Sequence, residues 1–127
     1  MTPDVVLFHF GTNDVWNVKS TETILQAYTK VLEKARTRNP NVLVFVAQII
    51  PMSTSVCAEC NGRIATLNAA IPGWADDNST DDSPVEVVDQ NTGFDSAWTV
   101  DGVHPNDEAG ATAIADKWLE ALAPALK

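Results

Sequence analysis

Two unbroken apolar runs, Val5-Val6-Leu7-Phe8-His9-Phe10 and Val42-Leu43-Val44-Phe45-Val46-Ala47, narrow the fold more than any other feature. A strand with one wet face alternates apolar and polar residues. Runs without that alternation, rich in β-branched and aromatic residues, read as strands covered on both faces, as in a parallel sheet. Between them, Ile24, Leu25, Tyr28, Val31, Leu32 and Ala35 share one face of a helix predicted over Thr21 to Arg38. Ser20 or Thr21 can cap its start, and Asn39-Pro40 stops it.

The pattern then repeats. Asn61 to Ala75 reads as a helix around Ile64, Leu67, Ile71 and Trp74, with Pro72-Gly73 weakening its end and Asp76 to Ser83 forming a polar turn. Val85 to Asp89 is a third, shorter strand. A loop from Gln90 to Val103 follows, then a last helix, Asn106 to Leu126, with Ala109, Ala113, Trp118, Leu119 and Leu122 available for packing. The order β-α-β-α-β-α predicts a single α/β domain over residues 1–127, with a parallel sheet and right-handed crossovers. Sites in such sheets gather at the carboxyl ends of strands. Gly11-Thr12-Asn13-Asp14 and Asp101-Gly102-Val103-His104-Pro105 both follow strand ends, so both belong on one rim.

That second stretch carries chemistry. Asp101 and His104 are three positions apart, so in a tight loop the carboxylate reaches the imidazole. A carboxylate on one ring nitrogen leaves the other free to take a proton from a nucleophile. His9, inside an apolar strand, reads as a core or near-core histidine. Trp16 and Trp98 follow strand ends and either wall a pocket or simply pack. Asp76, Asp77, Asp81 and Asp82 lack the spacing of a calcium loop and read as a solvated turn, so no metal is expected.

A net charge of −9 argues against nucleic acid or an anionic membrane as partner. The two cysteines, Cys57 and Cys60, form one C-x-x-C, and a zinc ribbon would need a second pair. A small structural disulfide, free thiols and redox or metal chemistry stay open, in that order. A disulfide would imply an oxidising compartment. Yet Met1 is followed at once by Thr2-Pro3-Asp4 and a strand, without a charged leader or cleavage site. The chain is then either cytosolic or begins partway into a longer secreted one.

Gly11-Thr12-Asn13-Asp14 resembles the G-x-N-D block, and Asp101-Gly102-Val103-His104-Pro105 the D-x-x-H-P block, of the SGNH (GDSL-type) hydrolases. The text from His9 to Asp14 and from Asp101 to Asn106, with Ala47-Gln48-Ile49-Ile50-Pro51 and Thr92-Gly93-Phe94-Asp95, is similar to carbohydrate esterase family three, the acetyl xylan esterases. The resemblance implies a flavodoxin-like three-layer α/β/α sandwich, here cut to about three βα units. It implies His104 as general base and then acid, Asp101 as its orienting carboxylate, and Asn13 as an oxyanion-hole donor, with Gly11 and Asp14 supporting the turn. It implies no cofactor, an acetylated carbohydrate or other small ester as substrate, and an extracellular location.

One element of that pattern is missing. The family's nucleophilic serine belongs to a G-D-S block before the strand at Val5, where only four residues stand. Gly93-Phe94-Asp95-Ser96 mimics that block, but Ala97-Trp98-Thr99-Val100 shows no helical pattern after it, so Ser96 reads as a loop residue. Ser20, Ser53 and Ser55 have less to recommend them. Two functions follow: an ester hydrolase whose serine is not in this chain, or a non-catalytic module with a binding or structural role. In the family's strand order the Val5 strand is central. Without its neighbour it offers an apolar edge, so a homodimer, or assembly with a separately supplied half, is expected.

Overall fold

The computed structural model describes residues 2–126. Strands β1 (Val5–Phe8), β2 (Leu43–Gln48) and β3 (Val85–Asp89) form one parallel sheet in the order β1-β2-β3. Leu7 stands opposite Phe45, and Phe45 opposite Glu86. The helices are α1 (Thr12–Trp16), α2 (Thr21–Arg38), α3 (Cys60–Asn78) and α4 (Ala109–Leu122), with a 3-10 turn at Ser96–Trp98. The α/β class read from the apolar runs is the observed one.

Side chains alternate across a strand, and β2 shows why it has no polar position to spare. Val44 and Val46 join the core that contains Ile24, Tyr28 and Leu32 of α2 and Ile64, Leu67 and Ile71 of α3. Phe45 and Ala47 point to the opposite face and are equally buried. On that face α4 is tied to the end of β3: Lys117 Nζ donates to the carbonyls of Asp89 and Thr92, and Gln90 Nε2 donates to Ile114 O. Helices thus lie on both sides of the sheet.

Several boundaries differ from the sequence reading, each for a tertiary reason. Helix α3 runs through Pro72 to Asn78. Proline removes the N–H that would bond the carbonyl of Asn68, and Gln48 Nε2 replaces it at 2.8 Å from Asn68 O. Gly11-Thr12-Asn13-Asp14 is more than a turn, since Thr12 already opens α1. Helix α4 begins at Ala109 rather than Asn106. Pro105 bridges to Thr99, and Asn106 donates its N–H to Trp98 O while its side chain accepts from Gly110 N–H. Gly110 has to be glycine, because a Cβ there would run into Trp98 O. Leu119, expected to pack, is 64% exposed: among the described residues the main packing partner of α4 is β3, and Leu119 lies away from it.

The carboxyl end of β2 is held by polar side chains. Asn68 is buried, donates to Ile49 O at 2.9 Å and accepts from Ile49 N–H at 2.7 Å. Asn91 donates to the same carbonyl at 2.9 Å. The other edge of the sheet is open: among the described residues β1 pairs only with β2, and Leu7 and Phe10 are 40% and 53% exposed.

Two outcomes follow. Asn68→Ala strands the Ile49 N–H in a dry interior, so chemical denaturation should register a loss of about 1–3 kcal/mol. The open β1 edge should make the chain associate. Sedimentation velocity over a concentration series should show species above 13.7 kDa, reduced by Leu7→Lys. One species of monomer mass throughout would contradict it.

Candidate active site

The Asp101–His104 loop is organised by one carboxylate. Asp101 Oδ1 accepts from Val103 N–H at 2.9 Å and from His104 N–H at 2.8 Å, while Oδ2 lies 2.7 Å from His104 Nδ1. Gly102 sits at φ +86°, a turn that L side chains rarely adopt. The loop is closed by Val100 N–H donating to His104 O at 2.8 Å. Hydrogen bonds from the His104 N–H and ring, then from Val103, hold the Asp101 carboxyl down at about 2. An ionised carboxylate only accepts, so in the neutral ring the proton sits on Nδ1 and Nε2 is bare. Nε2 has no partner among the described residues, and the side chain is 74% exposed.

Asn13 enters from the other end of the chain. Phe8 ends β1, and Gly11 turns the backbone at φ +117° where a Cβ would lie 3.0 Å from Leu67 Cδ2 and 3.1 Å from Tyr28 Oη. Tyr28 donates its hydroxyl to Phe10 O at 2.6 Å, and burial, then the charge of Asp14, push its phenol far above the usual range. It remains a proton donor. Helix α1 follows, with Asn13 O accepting from both Asn17 N–H and Asn17 Nδ2. The Asn13 side-chain amide makes no hydrogen bond among the described residues. Asp14 O accepts from Lys19 N–H, so the main chain rather than the carboxylate closes this turn.

Asn13 and His104 line two clefts together. One, of about 230 Å³, is bounded by His9, Thr12, Asn13, Ile50, Val103, His104, Pro105 and Ile114. The other, of about 460 Å³, is shared by Asn13, Trp16, Asn17, Val56, Asp101, Val103 and His104. Among the described residues no serine lines either. Ser96 is in the 3-10 turn, where its carbonyl accepts from Thr99 Oγ1. Ser53 lies under Gly102 and pairs its hydroxyl with Ser55 at 2.7 Å. Trp16 is a cleft wall, whereas Trp98 packs edge-on against Phe94 with ring centres 5.7 Å apart.

His9, read as a core or near-core histidine, stands between the core and the rim. It is half-buried at the cleft, and its Nε2 accepts from Ile50 N–H at 3.3 Å. Burial lowers its pKa to about 4. An apolar run gives no sign that its last residues leave the core for a rim; the following Gly11 was the available signal. Cys57 and Cys60 are bonded to each other, at 5.4 Å between Cα atoms. Among the described residues no group of three or more His, Cys, Asp or Glu side chains is placed to hold a metal.

Residues 1–111 match the model of the GDSL-like lipase/acylhydrolase family. A multidomain esterase of Ruminococcus flavefaciens is 34% identical over 131 residues, covering 99% of this chain and 16% of that protein. The crystal structure of a carbohydrate esterase family 3 protein from Talaromyces cellulolyticus superposes with a TM-score of 0.85 at 38% identity, over 96% of this chain and 58% of that one. A serine-to-alanine mutant of an acetyl esterase, solved with acetate ion, gives 0.83 at 37% identity, over 98% and 61%. The chain therefore spans under two thirds of the solved proteins it matches, and a sixth of the multidomain one.

His9 predicts a pH signature. His9 has a folded pKa depressed below its unfolded 6.5, so its neutral form contributes fully above that value. Stability should fall as pH drops from 6.5 towards about 4, by roughly 3 kcal/mol in all. His9→Gln, which keeps an acceptor for Ile50 N–H and does not titrate, should flatten that decline in denaturation curves taken across the range.

Proposed function

The chain belongs to the GDSL-like lipase/acylhydrolase family, and on that premise we propose that it carries the acid–base and oxyanion part of an acetyl ester hydrolase site. The nucleophilic serine is supplied from outside these residues. The observation that carries this reading is the 2.7 Å Asp101–His104 pair, whose bare Nε2 shares two clefts with the unpaired amide of Asn13.

His104 Nε2 takes the proton of the serine hydroxyl as its oxygen adds to the ester carbonyl carbon. The charge moving onto the carbonyl oxygen is met by the Asn13 amide, which has no other bond to break. Asp101, ionised throughout the working range, stabilises the imidazolium without taking its proton. As the carbon–oxygen bond of the leaving alcohol breaks, Nε2 returns the proton to that oxygen. The acyl-serine is then hydrolysed by water along the same path in reverse order of roles. No cofactor takes part.

An acetylated carbohydrate or similar small ester is the proposed substrate, which fits both the modest cleft and the solved relatives, described as a carbohydrate esterase and an acetyl esterase. The indole of Trp16 and the Val56 side chain stand where the alcohol part would lie. The bonded Cys57–Cys60 pair fits an oxidising, extracellular setting. A second reading, a non-catalytic module, is favoured by the absence of serine from both clefts among the described residues.

Hydrolysis of 4-nitrophenyl acetate separates these readings. The chain alone should not exceed its His104→Ala variant. Fused behind the serine-bearing first βα unit of a solved acetyl esterase relative, it should turn over. There His104→Ala should lower kcat by ~10²–10⁴ and Asn13→Ala by ~10²–10³. Turnover by the chain alone that His104→Ala removes would place the nucleophile within these residues. A folded but inactive fusion would favour the non-catalytic module.

A further inference from the structure

We propose that the Cys57–Cys60 disulfide is a positioning device that sets His104 against Asn13. The inference rests on the roles assigned to those two residues above, and it concerns a bond that takes no part in the chemistry itself.

The bond joins two arms. The first supports the loop of the base. Ser53 donates its N–H to Gly102 O at 2.8 Å, and Gly102 is pressed so closely that a Cβ there would lie 2.5 Å from Val56 Cγ2 and 3.0 Å from Ser53 Cβ. The turn that presents these atoms closes on itself, with the N–H groups of Val56 and Cys57 both donating to Ser53 O. The last residue of that turn, Cys57, is therefore one end of the disulfide. Val56 is also a wall of the cleft that holds Asn13, Asp101 and His104.

The second arm supports the oxyanion donor. Cys60 is fully buried and opens α3. One turn further on, Arg63 Nη1 donates to Val15 O at 3.0 Å, bracing the short helix that carries Asn13. Glu59 fixes the other Arg63 nitrogen at 3.1 Å. Arg63 Nη1 lies 3.8 Å from Cys60 Sγ, so the brace and the disulfide are neighbours.

A different contact holds the base of the loop. The Asn61 side chain accepts from Met52 N–H at 2.9 Å and donates to Met52 O at 2.8 Å. That pair anchors the loop to the end of β2, but leaves its tip, Ser53 to Glu59, to be closed by the sulfurs. The tip is the part that touches Gly102. Opening the bond should free the tip, and with it the His104 loop, while the sheet stays intact.

The test is amide hydrogen exchange together with the imidazole nitrogen signals of His104, on the isotopically labelled chain. Three forms are compared: oxidised, Cys57→Ser with Cys60→Ala, and reduced with dithiothreitol. In the last, the dithiol gives two electrons and two protons to the sulfurs and closes to its own cyclic disulfide. Exchange at Ser53 N–H should accelerate about tenfold or more. The His104 ring signals should move, and Val44 and Val46 in β2 should be unchanged. Reoxidation should restore the starting pattern. The same Ser53 rate and His104 signals with and without the bond would overturn the proposal. So would equal loss at Val44 and Val46, which would make the bond a general staple. Should the double variant not fold, the reduced form decides by the same Ser53 exchange rate and His104 signals, with Val44 and Val46 as the control. These readouts report position without turnover, so they separate failure of this device from failure of the hydrolase reading.

Discussion

The rest of this structure depends on how the carboxyl end of β2 satisfies its backbone. The strand is buried on both faces, and its continuation, Ile49 and Ile50, is buried as well. Backbone groups that leave a sheet in such a place must find partners, because an unpaired one costs as much as a lost hydrogen bond. Ile49 is met by Asn68 on both sides and by Asn91. Ile50 is met by His9, and Gln48 spends its amide on the carbonyl that Pro72 leaves open. Each partner comes from a different element: β1's extension, α3, and the loop after β3. Satisfying one strand end therefore draws together the three segments that build the rim.

The rim then holds two histidines with opposite electrostatics. His9 is half-buried, bonded through Nε2 and held neutral; His104 is exposed, bonded through Nδ1 to an anion and bare at Nε2. The difference in burial and hydrogen bonding divides their roles. His9 is committed to the scaffold by its bond to Ile50, while His104 keeps a free ring nitrogen facing the cleft, the one the proposed reaction uses. The Asp101 carboxylate serves both structure and electrostatics, since the same group that closes the loop through two N–H bonds fixes the ring's tautomer. An amide in its place could still accept one loop bond, but would offer the ring a donor or a weaker acceptor.

What the sequence made legible was the set of contacts decided by residues close together. The apolar runs marked β1 and β2 because burial on both faces removes alternation. Ser20 or Thr21 and Asn39-Pro40 marked the ends of α2, and of the two cap candidates it is Ser20 whose side chain accepts from Thr23 N–H. The Asp101–His104 pair was visible because its members are three residues apart. Contacts between distant segments were not legible. Nothing near Pro72 announces that Gln48 will replace its hydrogen bond, and nothing near Asn106 announces that Trp98 will claim its N–H. His9 looked like core because the strand's last residues carry the same apolar pattern whether or not they overrun the sheet. Leu119 looked like core because a helix stripe does not tell how much sheet lies beneath it.

The open edge of β1 and the site are not separate features. Beyond Phe8 the chain continues through Phe10, whose ring stacks on Phe8 at 5.5 Å, into a cleft of about 340 Å³ lined by Gly11, Thr12, Asn13, Ala27, Tyr28 and Val31. His9, Thr12 and Asn13 also bound the cleft that contains His104. A segment added to β1 would gain backbone hydrogen bonds along Val5 to Phe8 and cover Leu7, and Phe10 and Asn13 lie beyond the end of that edge. Tyr28 and Gly11 fix the backbone there, since the hydroxyl holds Phe10 O and leaves no room for a side chain at Gly11. A segment pairing with β1 would be led towards Asn13 by the same contacts. A nucleophile arriving by that route would approach His104 Nε2 across the cleft rather than from within the loop that carries it. On the proposed reading, pairing along β1 and arrival of the nucleophile would be one event, favoured by the hydrophobic gain of covering Leu7 and Phe10.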